Sequence, residues 1–484
     1  MRMKVKLLCL LTAVVLLAGL MVLPAQAATE DEIEESVTKG VAWLVGQQDL
    51  GDGSWGDWDE VAHTGFAVVK LEDRARELGL DPFGEEYEYS ENVIAGLNFI
   101  FLNANETECG WQFGWGTYET GIAMMAIAAG GDMDRVVGVG PHTGSTYGAV
   151  LEANVAYLAN TQVDVGGTSD GGWSYACNED WPDNSNSGYA VLGLRYAEAA
   201  GIGIPGIVKE RLNNWIDYIQ NDVDGDLDDG GSGYSHPEDG WVNLLKTGNL
   251  LSQMEFVGDT VATGRVTDAI DYIERHWNDA NLDPGWKGSG GPPPYPHLQA
   301  AYCLMKGLEA FNIQELDVGG LMDWFDEMSS AIIAVQEDDG YWPTDVWAWD
   351  DPILATEWAL LTLERVIPPL EVEIDIKPGS YPNSINLGKK GVTPVAILTT
   401  STADGNSVDF DATMVDPETV VFAGASPLRW SIEDVDYDGD MDMSLKFMTS
   451  ELDIGCDDTE ARLDAMTYEG KEVYGIDSVR PICK

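Results

Sequence analysis

The chain has 484 residues, with 83 acidic and 26 basic side chains and a formal net charge of −57 at pH 7. This length is enough for two or three domains. Such a negative chain repels nucleic acid and anionic membrane surfaces, so we exclude both as partners. Two origins of the acidity stay open: a solvated acidic surface suited to saline surroundings, and local carboxylate clusters that hold calcium.

The first residues have the pattern of a secretory signal peptide. A basic start precedes an apolar run from Leu7 to Leu23, and Ala25-Gln26-Ala27 is a small-x-small cleavage signal. We therefore expect residues 1–28 to be a leader that is cleaved near Ala27, and the mature protein to be secreted or at the cell surface. No later segment has 18 uninterrupted apolar residues, so the sequence predicts no transmembrane helix.

Residues 29–367 contain six copies of a motif that recurs about every 58 residues. In the first copy, "KGVAWLVGQQDLGDGSW" combines an amphipathic helical pattern with a glycine-rich turn, and "TGFAVVKL" then starts a more apolar helical pattern. The aromatic residues that close the turns are Trp55, Trp111, Trp173, Tyr234, Trp286 and Trp342. The second helices are predicted to begin near Thr64, Thr120, Ser187, Thr247, Leu298 and Ala355.

Two helices in each copy predict an all-α domain. One helix pair cannot bury its apolar face alone, but stacked copies can. Neither end shows a polar capping repeat, so we favour a closed (α/α)6 toroid of inner and outer helices over an open solenoid. We expect one glutamine in each of four turns to bond the last carbonyl groups of the outer helix, while the aromatic residue covers that helix end; they are Gln48, Gln162, Gln220 and Gln336. Four hydroxyls are expected to cap the inner helices; they are Thr64, Thr120, Ser187 and Thr247.

These repeats resemble a known family. "KGVAWLVGQQDLGDGSW" resembles the QW repeat of squalene–hopene and oxidosqualene cyclases, and "GGWSYACNEDWPDNSNSGYAVLGL" resembles the prenyltransferase and squalene oxidase repeat found in many exported proteins. The resemblance covers about residues 30–366 and implies a terpenoid cyclase-like toroid, which specifies the fold more than the function.

The catalytic motifs of that family do not carry over at matching positions. The cyclases protonate their substrate with an Asp-x-Asp-Asp motif just before an inner helix, whereas here Asp226–Asp229 lies in the turn of the fourth copy. Protein prenyltransferases bind zinc through an Asp-x-Cys pair and a later histidine, of which this chain offers only His297. A lone histidine is not a zinc site, so we do not expect zinc, and whether the chain is an enzyme stays open.

The loops that lead into the inner helices are rich in aromatic and acidic residues. In a toroid these loops gather round one mouth of the central cavity, where aromatic faces stack on sugars or apolar rings and carboxylates bond or protonate the ligand. The candidate ligand-binding residues are Trp58, Asp59, His63, Trp115, Glu119, Trp181, Asp183, His236, His297, Trp347 and Asp350.

The function that this mouth favours is binding of a glycan or a ring-bearing lipid by an exported protein. The first alternative is an enzyme of the same cavity, either a terpenoid-type cyclase or a polysaccharide-degrading enzyme. Export argues against the cyclase, because the relatives named above act on lipids at intracellular membranes. The second alternative is a cell-surface scaffold, and the oligomeric state stays open.

After Pro368 and Pro369 the pattern changes to short β-type runs between turns. Residues 371–484 are therefore predicted to form an all-β, sandwich-like domain. The segment "IDIKPGSYPNSINLGKKGVTPVAIL" resembles a module that recurs at the ends of exported bacterial and archaeal proteins, and that resemblance implies no particular activity.

The run "DVDYDGDMD" within this domain has the spacing of a calcium loop. Its carboxylates match the first, third, fifth, seventh and ninth positions, with Gly439 at the sixth, but the twelfth position is Leu445 and not glutamate. We expect a Ca²⁺ loop closed by an acid from elsewhere, with Asp440 giving its backbone carbonyl; its residues are Asp434, Asp436, Asp438, Asp440 and Asp442. The run from Asp222 to Gly230 is similar but less regular.

Five cysteines remain after leader cleavage. Cys456 and Cys483 lie close together near the end of the chain and are the favoured disulfide pair. Because the number is odd, at least one thiol is free or bonded between chains. Cys303 lies in an apolar helical run and is expected to be buried.

Overall fold

The computed structural model describes residues 27–223, 225–238, 240–279, 282, 284–287, 295–344, 351–366, 369–388, 391–401, 410–456, 458–468 and 472–483. Almost all of the predicted leader lies outside these residues, and so do Trp347 and Asp350. Within the described part of the chain, every helix is too short or too polar to cross a lipid bilayer.

Twelve α-helices occupy the first three quarters of the described residues, in pairs that follow the repeat. The odd-numbered helices each bury one face, and they are α1 Glu30–Val45, α3 Ser90–Leu102, α5 Tyr147–Thr161, α7 Gly206–Ile219, α9 Gly264–His276 and α11 Trp324–Ile333. The even-numbered helices are buried nearly all round, and they are α2 Glu60–Glu77, α4 Thr117–Ala129, α6 Asn184–Ala199, α8 Leu244–Phe256, α10 Leu298–Ala310 and α12 Pro352–Leu363.

Contacts between the even-numbered helices return to their starting point. Each packs on the next in chain order, and α12 packs on α2 as well as on α1. Gln336, after α11, joins the sixth copy to the first, because its side-chain amide donates to the carbonyl of Ser36 in α1 at 2.9 Å. The helices predicted to be outer therefore bury one face, and those predicted to be inner are buried nearly all round.

Two pairs of even-numbered helices are in backbone contact at glycines. A Cβ atom on Gly121 of α4 would lie 2.1 Å from the carbonyl oxygen of Tyr189 in α6, and one on Gly193 would lie 2.6 Å from the carbonyl oxygen of Gly121. Gly248 of α8 and Gly307 of α10 meet in the same way. These helices approach one another as closely as only glycine allows.

Side chains from alternate even-numbered helices meet in the interior. The ring of Phe66 on α2 lies 6.0 Å from that of Tyr189 on α6 and 5.9 Å from that of Tyr302 on α10, centre to centre. Lys306 lies beside them, with its ammonium nitrogen 4.5 Å from the Tyr302 ring centre and 3.1 Å from the amide oxygen of Asn249. All of these side chains are buried, so this part of the interior is filled by protein.

In the third copy, the glutamine and the tryptophan exchange the roles predicted for them. Trp173 Nε1 donates to the carbonyl of Leu158, in the last turn of α5, at 2.8 Å. Gln162 instead donates to the carbonyl of Gly171 in the turn and to that of Val208 in α7. The predicted bond from glutamine to its own helix is wrong, because Gln162 follows α5 in an extended conformation that turns its amide away. The first and sixth copies repeat this arrangement.

Five of the six inner helices begin three or four residues before their predicted starts, and α10 begins at Leu298 as predicted. The predicted capping by Thr64 is wrong, because this hydroxyl accepts the backbone N–H of Trp55 at 3.0 Å. Thr120, Ser187 and Thr247 hold their turns in the same way. Hydroxyls one turn inside a helix thus tie the preceding loop to it.

Two short hairpins interrupt the helical copies, which were predicted to lack strands. Strands β1 Ala104–Thr107 and β2 Gly110–Phe113 form one, and β3 Glu315–Asp317 and β4 Leu321–Asp323 form the other. A disulfide joins Cys109, at the tip of the first hairpin, to Cys177, in the turn before α6. This bridge was not predicted, whereas the predicted Cys456–Cys483 bridge and the buried free Cys303 are confirmed.

The last part of the chain is built of strands, as predicted. Two four-stranded sheets have the orders β10-β11-β8-β6 and β5-β13-β12-β9, and β7 pairs with β14. Their buried side chains form one hydrophobic cluster. The strands are β5 Leu370–Glu371, β6 Ile374–Ile376, β7 Ser384–Asn386, β8 Val392–Ile397, β9 Val421–Phe422, β10 Arg429–Glu433, β11 Asp442–Met448, β12 Glu460–Met466, β13 Glu472–Ser478 and β14 Arg480–Ile482.

The sheets contact the helices at the C-terminal ends of α2 and α6. Arg76 of α2 forms an ion pair with Glu472 of β13 at 2.5 Å, and Arg462 of β12 donates to the carbonyl of Ala199 at the end of α6. The loops that enter the inner helices lie at the opposite helix ends, so the strands leave that side uncovered.

Candidate functional site

An aromatic surface runs along the loops that enter α4, α6 and α8. We call it the aromatic crescent, and its residues are Tyr118, Tyr175, Trp181, Tyr234 and Trp241. The ring of Tyr175 lies 6.2 Å from that of Tyr118 and 5.7 Å from that of Trp181, centre to centre. The hydroxyls of Tyr175 and Tyr234 are 2.8 Å apart, and Trp241 lies 6.3 Å from Tyr234. Trp181 and Trp241 are each 51% exposed, so the crescent is open to solvent.

Carboxylates adjoin this crescent at its α2 end. Asp59 accepts a hydrogen bond from Tyr118, and burial together with this bond raises the pKa of Tyr118. Asp59 has a φ of 46°, a left-handed conformation that asparagine and aspartate tolerate better than most residues. Trp58 packs edge-on against His63, with 5.5 Å between ring centres. The predicted residues Trp58, Asp59 and His63 are therefore brought together.

His63 is buried between two carboxylates. Its Nδ1 atom lies 3.2 Å from Oε2 of Glu357, and its Nε2 atom lies 3.6 Å from Oδ2 of Asp351. Burial alone lowers the pKa of His63, but Glu357 and Asp351 outweigh burial, so the pKa is raised. Burial raises the pKa of Glu357 to about 7, against the opposing effect of His63. The trio can hold or move a proton near neutral pH.

A cavity of about 570 Å³ lies beside this trio, where the sixth copy meets the first. Trp58, Asp351, Asp57 and Asp49 are among its lining residues. Asp351 lines the cavity and also contacts His63, which its Oδ2 atom faces. Its Oδ1 atom accepts the backbone N–H of Ile353 at the start of α12. Asp351 thus connects the buried histidine to an acidic cavity.

Three of the predicted binding residues are buried within the loops. Glu119 accepts the backbone N–H of Trp115 at 2.5 Å, and burial raises its pKa to about 7. Asp183 accepts the N–H of Asn186 and so caps α6, and burial raises its pKa. His297 caps α10 through a bond from the N–H of Ala300. Glu119 and Asp183 thus shape loops that carry the crescent, and His297 has the same kind of role at α10.

The remaining predicted residues are not part of the aromatic crescent. Trp115 is 83% exposed beside the start of α4. His236 bonds through Nδ1 to the hydroxyl of Tyr218 on the outer helix α7. Trp347 and Asp350 lie outside the described residues.

Sequence reasoning assigned Tyr234 to the wrong role because two copies, the second and the fourth, were aligned two residues out of register. Phe113 donates its N–H to Thr120 as Trp55 does to Thr64, so Phe113 and not Trp111 closes the second turn. In the fourth copy Ser232 takes this place, not Tyr234. The position two residues further on lies at the mouth, and it is Trp115, Tyr175 and Tyr234 in successive copies. In the third and fourth copies this position lies four residues after the glycine whose carbonyl accepts from the turn's glutamine, and these glycines are Gly171 and Gly230. That fixed spacing could have identified the position from the sequence.

The acidic run in the sheets forms the loop between β10 and β11. Asp434, Asp436 and Asp442 each offer an oxygen, and these atoms lie within 4.8 Å of one another. Asp442 is buried and accepts the N–H groups of Thr399 and Val435. Oδ1 of Asp434 is buried with no hydrogen-bond partner among the described residues. Three of the five predicted calcium ligands are therefore grouped, and Gly439 makes the bend at a φ of 110°.

No protein-family model matches the chain, and no curated protein matches it. Among solved structures, the chain is similar to the type II terpene cyclase MstE from Scytonema in its apo form, with a TM-score of 0.45 and 12% identity, over 69% of this chain and 98% of that chain. A variant of that cyclase in complex with its substrate, geranylgeranyl dihydroxybenzoate, aligns with a TM-score of 0.43 and 10% identity over the same shares.

Proposed function

We propose that the helices form an (α/α)6 toroid, that the strands form a sandwich-like domain, and that the exported protein binds a carbohydrate chain across the aromatic crescent. The observation that carries this proposal is the exposed run of aromatic rings from Tyr118 to Trp241, beside carboxylates and hydroxyls. Aromatic faces stack on sugar rings, and polar groups at their edges fix orientation.

The filled interior favours a ligand at the mouth over one buried in the ring. Phe66, Tyr189 and Tyr302 meet in the interior, and the ammonium group of Lys306 lies against the Tyr302 ring, so this part of the interior offers no room to an apolar chain. A ligand on the crescent stays in contact with water, which suits a polar chain better than a ring-bearing lipid. The net charge of −57 favours a neutral glycan over an anionic one.

The test is affinity electrophoresis in gels that contain glucomannan, xylan or hydroxyethylcellulose, with alginate as the anionic control. We expect at least one neutral polymer to retard the protein. Tyr175→Ala, Trp181→Ala and Trp241→Ala should each weaken binding about tenfold, or ~1.4 kcal/mol, because each removes a stacking surface. Tyr468→Ala, which removes an exposed tyrosine on the sheets, is the matched control. Absence of retardation in every gel would favour the scaffold alternative.

A polysaccharide-degrading enzyme is the second candidate, and the placement of His63 between Asp351 and Glu357 favours it. In this reaction water adds to the anomeric carbon and gives its proton to Asp351. The departing sugar oxygen takes a proton from a second acid of the mouth, for which Asp57 and Asp59 are the candidates. Release of reducing ends from the retained polymer, lost in Asp351→Asn while binding persists, tests this activity.

We also propose that the loop between β10 and β11 binds Ca²⁺. Asp434, Asp436 and Asp442 would hold the ion, with Asp438 and Asp440 completing the oxygen set. Carboxylates crowded within one loop repel each other, and a divalent cation relieves that repulsion. The unpartnered buried oxygen of Asp434 supports this proposal. The ion would fix the hairpin that carries β10.

A further inference from the structure

Strand β10, Arg429–Glu433, is an exposed edge of the sandwich-like domain. It is the end strand of its sheet, and among the described residues no strand pairs with its outer side. All five of its residues are exposed, whereas the edge strand β6 at the other end of this sheet is largely buried. An edge strand presents unpaired backbone N–H and C=O groups that another strand can join.

The side chains of β10 extend the apolar core beyond its cover. Trp430 lies opposite Leu445 of β11, and Ile432 lies opposite Met443. Residues directly opposite in an antiparallel pair point to the same face, and Leu445 and Met443 are both buried in the core between the sheets. Trp430 is nevertheless 50% exposed and Ile432 is 38% exposed. The second sheet therefore stops short of this strand and leaves a core-facing apolar strip in solvent.

We propose that β10 pairs antiparallel with β10 of a second copy of this chain, in a register centred on Ser431. In that register Arg429 of each copy faces Glu433 of the other, and Trp430 of each faces Ile432 of the other. Both contacts are favourable cross-strand pairs, and the twofold axis generates each of them twice. The apolar strips of the two copies then join. The four-stranded sheet that ends in β10 in one copy continues into the same sheet of the other copy, which gives one sheet of eight strands.

The charge of the chain sets the salt dependence of this association. Two copies of net charge −57 repel each other at long range, and salt shortens the range of that repulsion from about 30 Å at 0.01 M to about 3 Å at 1 M. The proposed interface contains only two attractive ion pairs, both between Arg429 and Glu433, and its apolar contacts do not weaken with salt. The dimer should therefore form more tightly in 0.5 M NaCl than in 0.05 M NaCl, the reverse of an association carried by ion pairs alone.

Sedimentation equilibrium of the full mature chain from 5 to 500 μM, at both salt concentrations, tests the proposal. We expect a monomer–dimer equilibrium that is at least fivefold tighter in 0.5 M NaCl. Trp430→Ala should weaken it at least tenfold. Arg429→Glu should weaken it about fivefold, because it places glutamate opposite Glu433, and the double variant Arg429→Glu with Glu433→Arg should restore the wild-type constant within twofold.

Val421→Lys on β9, the edge of the other sheet, is the control and should leave the constant unchanged. Circular dichroism establishes that each variant is folded. A monomer at every concentration would overturn the proposal. So would a dimer that ignores Trp430→Ala and Arg429→Glu, a double variant that stays as weak as the single one, or growth beyond the dimer.

Discussion

Gly121→Ala tests whether backbone contact between α4 and α6 stabilises the helical part of the chain. Two opposite effects compete. An alanine in a helix interior is favoured over glycine by about 1 kcal/mol. The added Cβ, however, would lie 2.1 Å from the carbonyl oxygen of Tyr189, whereas ordinary contacts begin at 3.4 Å, so the helices must separate by more than 1 Å. Overpacking of this kind costs about 1–3 kcal/mol or more, and the obstacle is rigid backbone.

We expect the cost of overpacking to exceed the gain in helix propensity, with a net loss of about 1–2 kcal/mol in the free energy of unfolding. Urea denaturation followed by tryptophan fluorescence measures it. Gly203→Ala is the matched control, because its Cβ would meet no atom within 4 Å. The same separation should move Tyr118 away from Tyr175 and weaken ligand binding. A Gly121→Ala variant as stable as wild type or more so would refute the close packing that we describe.

Three further outcomes are expected. Calcium should raise the melting temperature of the full chain at fixed ionic strength. The gain in unfolding free energy should be up to about 2.7 kcal/mol at a hundredfold excess of calcium over Kd. Asp436→Asn with Asp438→Asn should abolish this response, and magnesium should have a smaller effect than calcium. Glu72→Gln should stabilise the protein at pH 8 but not at pH 4. Glu72 is fully buried without hydrogen-bond partners among the described residues, and burial raises its pKa. The stability of the wild-type protein therefore falls as the pH rises above the usual carboxyl pKa, and glutamine removes this loss. Asp183→Ala should cost about 1 kcal/mol in unfolding free energy through lost capping of α6, whereas Asp183→Asn should cost little and leave glycan binding intact; loss of binding in Asp183→Asn would show direct contact with the ligand.

The helical pairs could be predicted from the sequence because apolar residues recur at helical spacing in every copy. The loops could not be predicted as well. A threonine near a helix start looks like a cap, and only the backbone shows that Thr64 accepts from Trp55 instead. The turns differ in length between copies, so Trp111 and Tyr234 were aligned with Trp55 although Phe113 and Ser232 hold that place.

The predicted site residues lie in or near the loops that enter the inner helices, but some of them face the solvent and others are buried. Polar residues that cap a helix and polar residues that face a ligand have the same sequence pattern, and for this reason Glu119, Asp183 and His297 were grouped with Trp181. Glu357 was missed because it lies inside an apolar helix, and only the fold brings it to His63, which is 294 residues away in the sequence.

The hydrogen bond from Gln336 to Ser36 joins residues that are 300 positions apart in the sequence, and this separation affects the order in which the chain folds. Because synthesis proceeds from the N-terminus, α1 emerges first, and its partners α11 and α12 emerge last. The first copy therefore keeps an uncovered flank until the sixth copy arrives, so we expect contact between α1 and α12 to form late in folding. A chain truncated before α11 would keep that flank exposed.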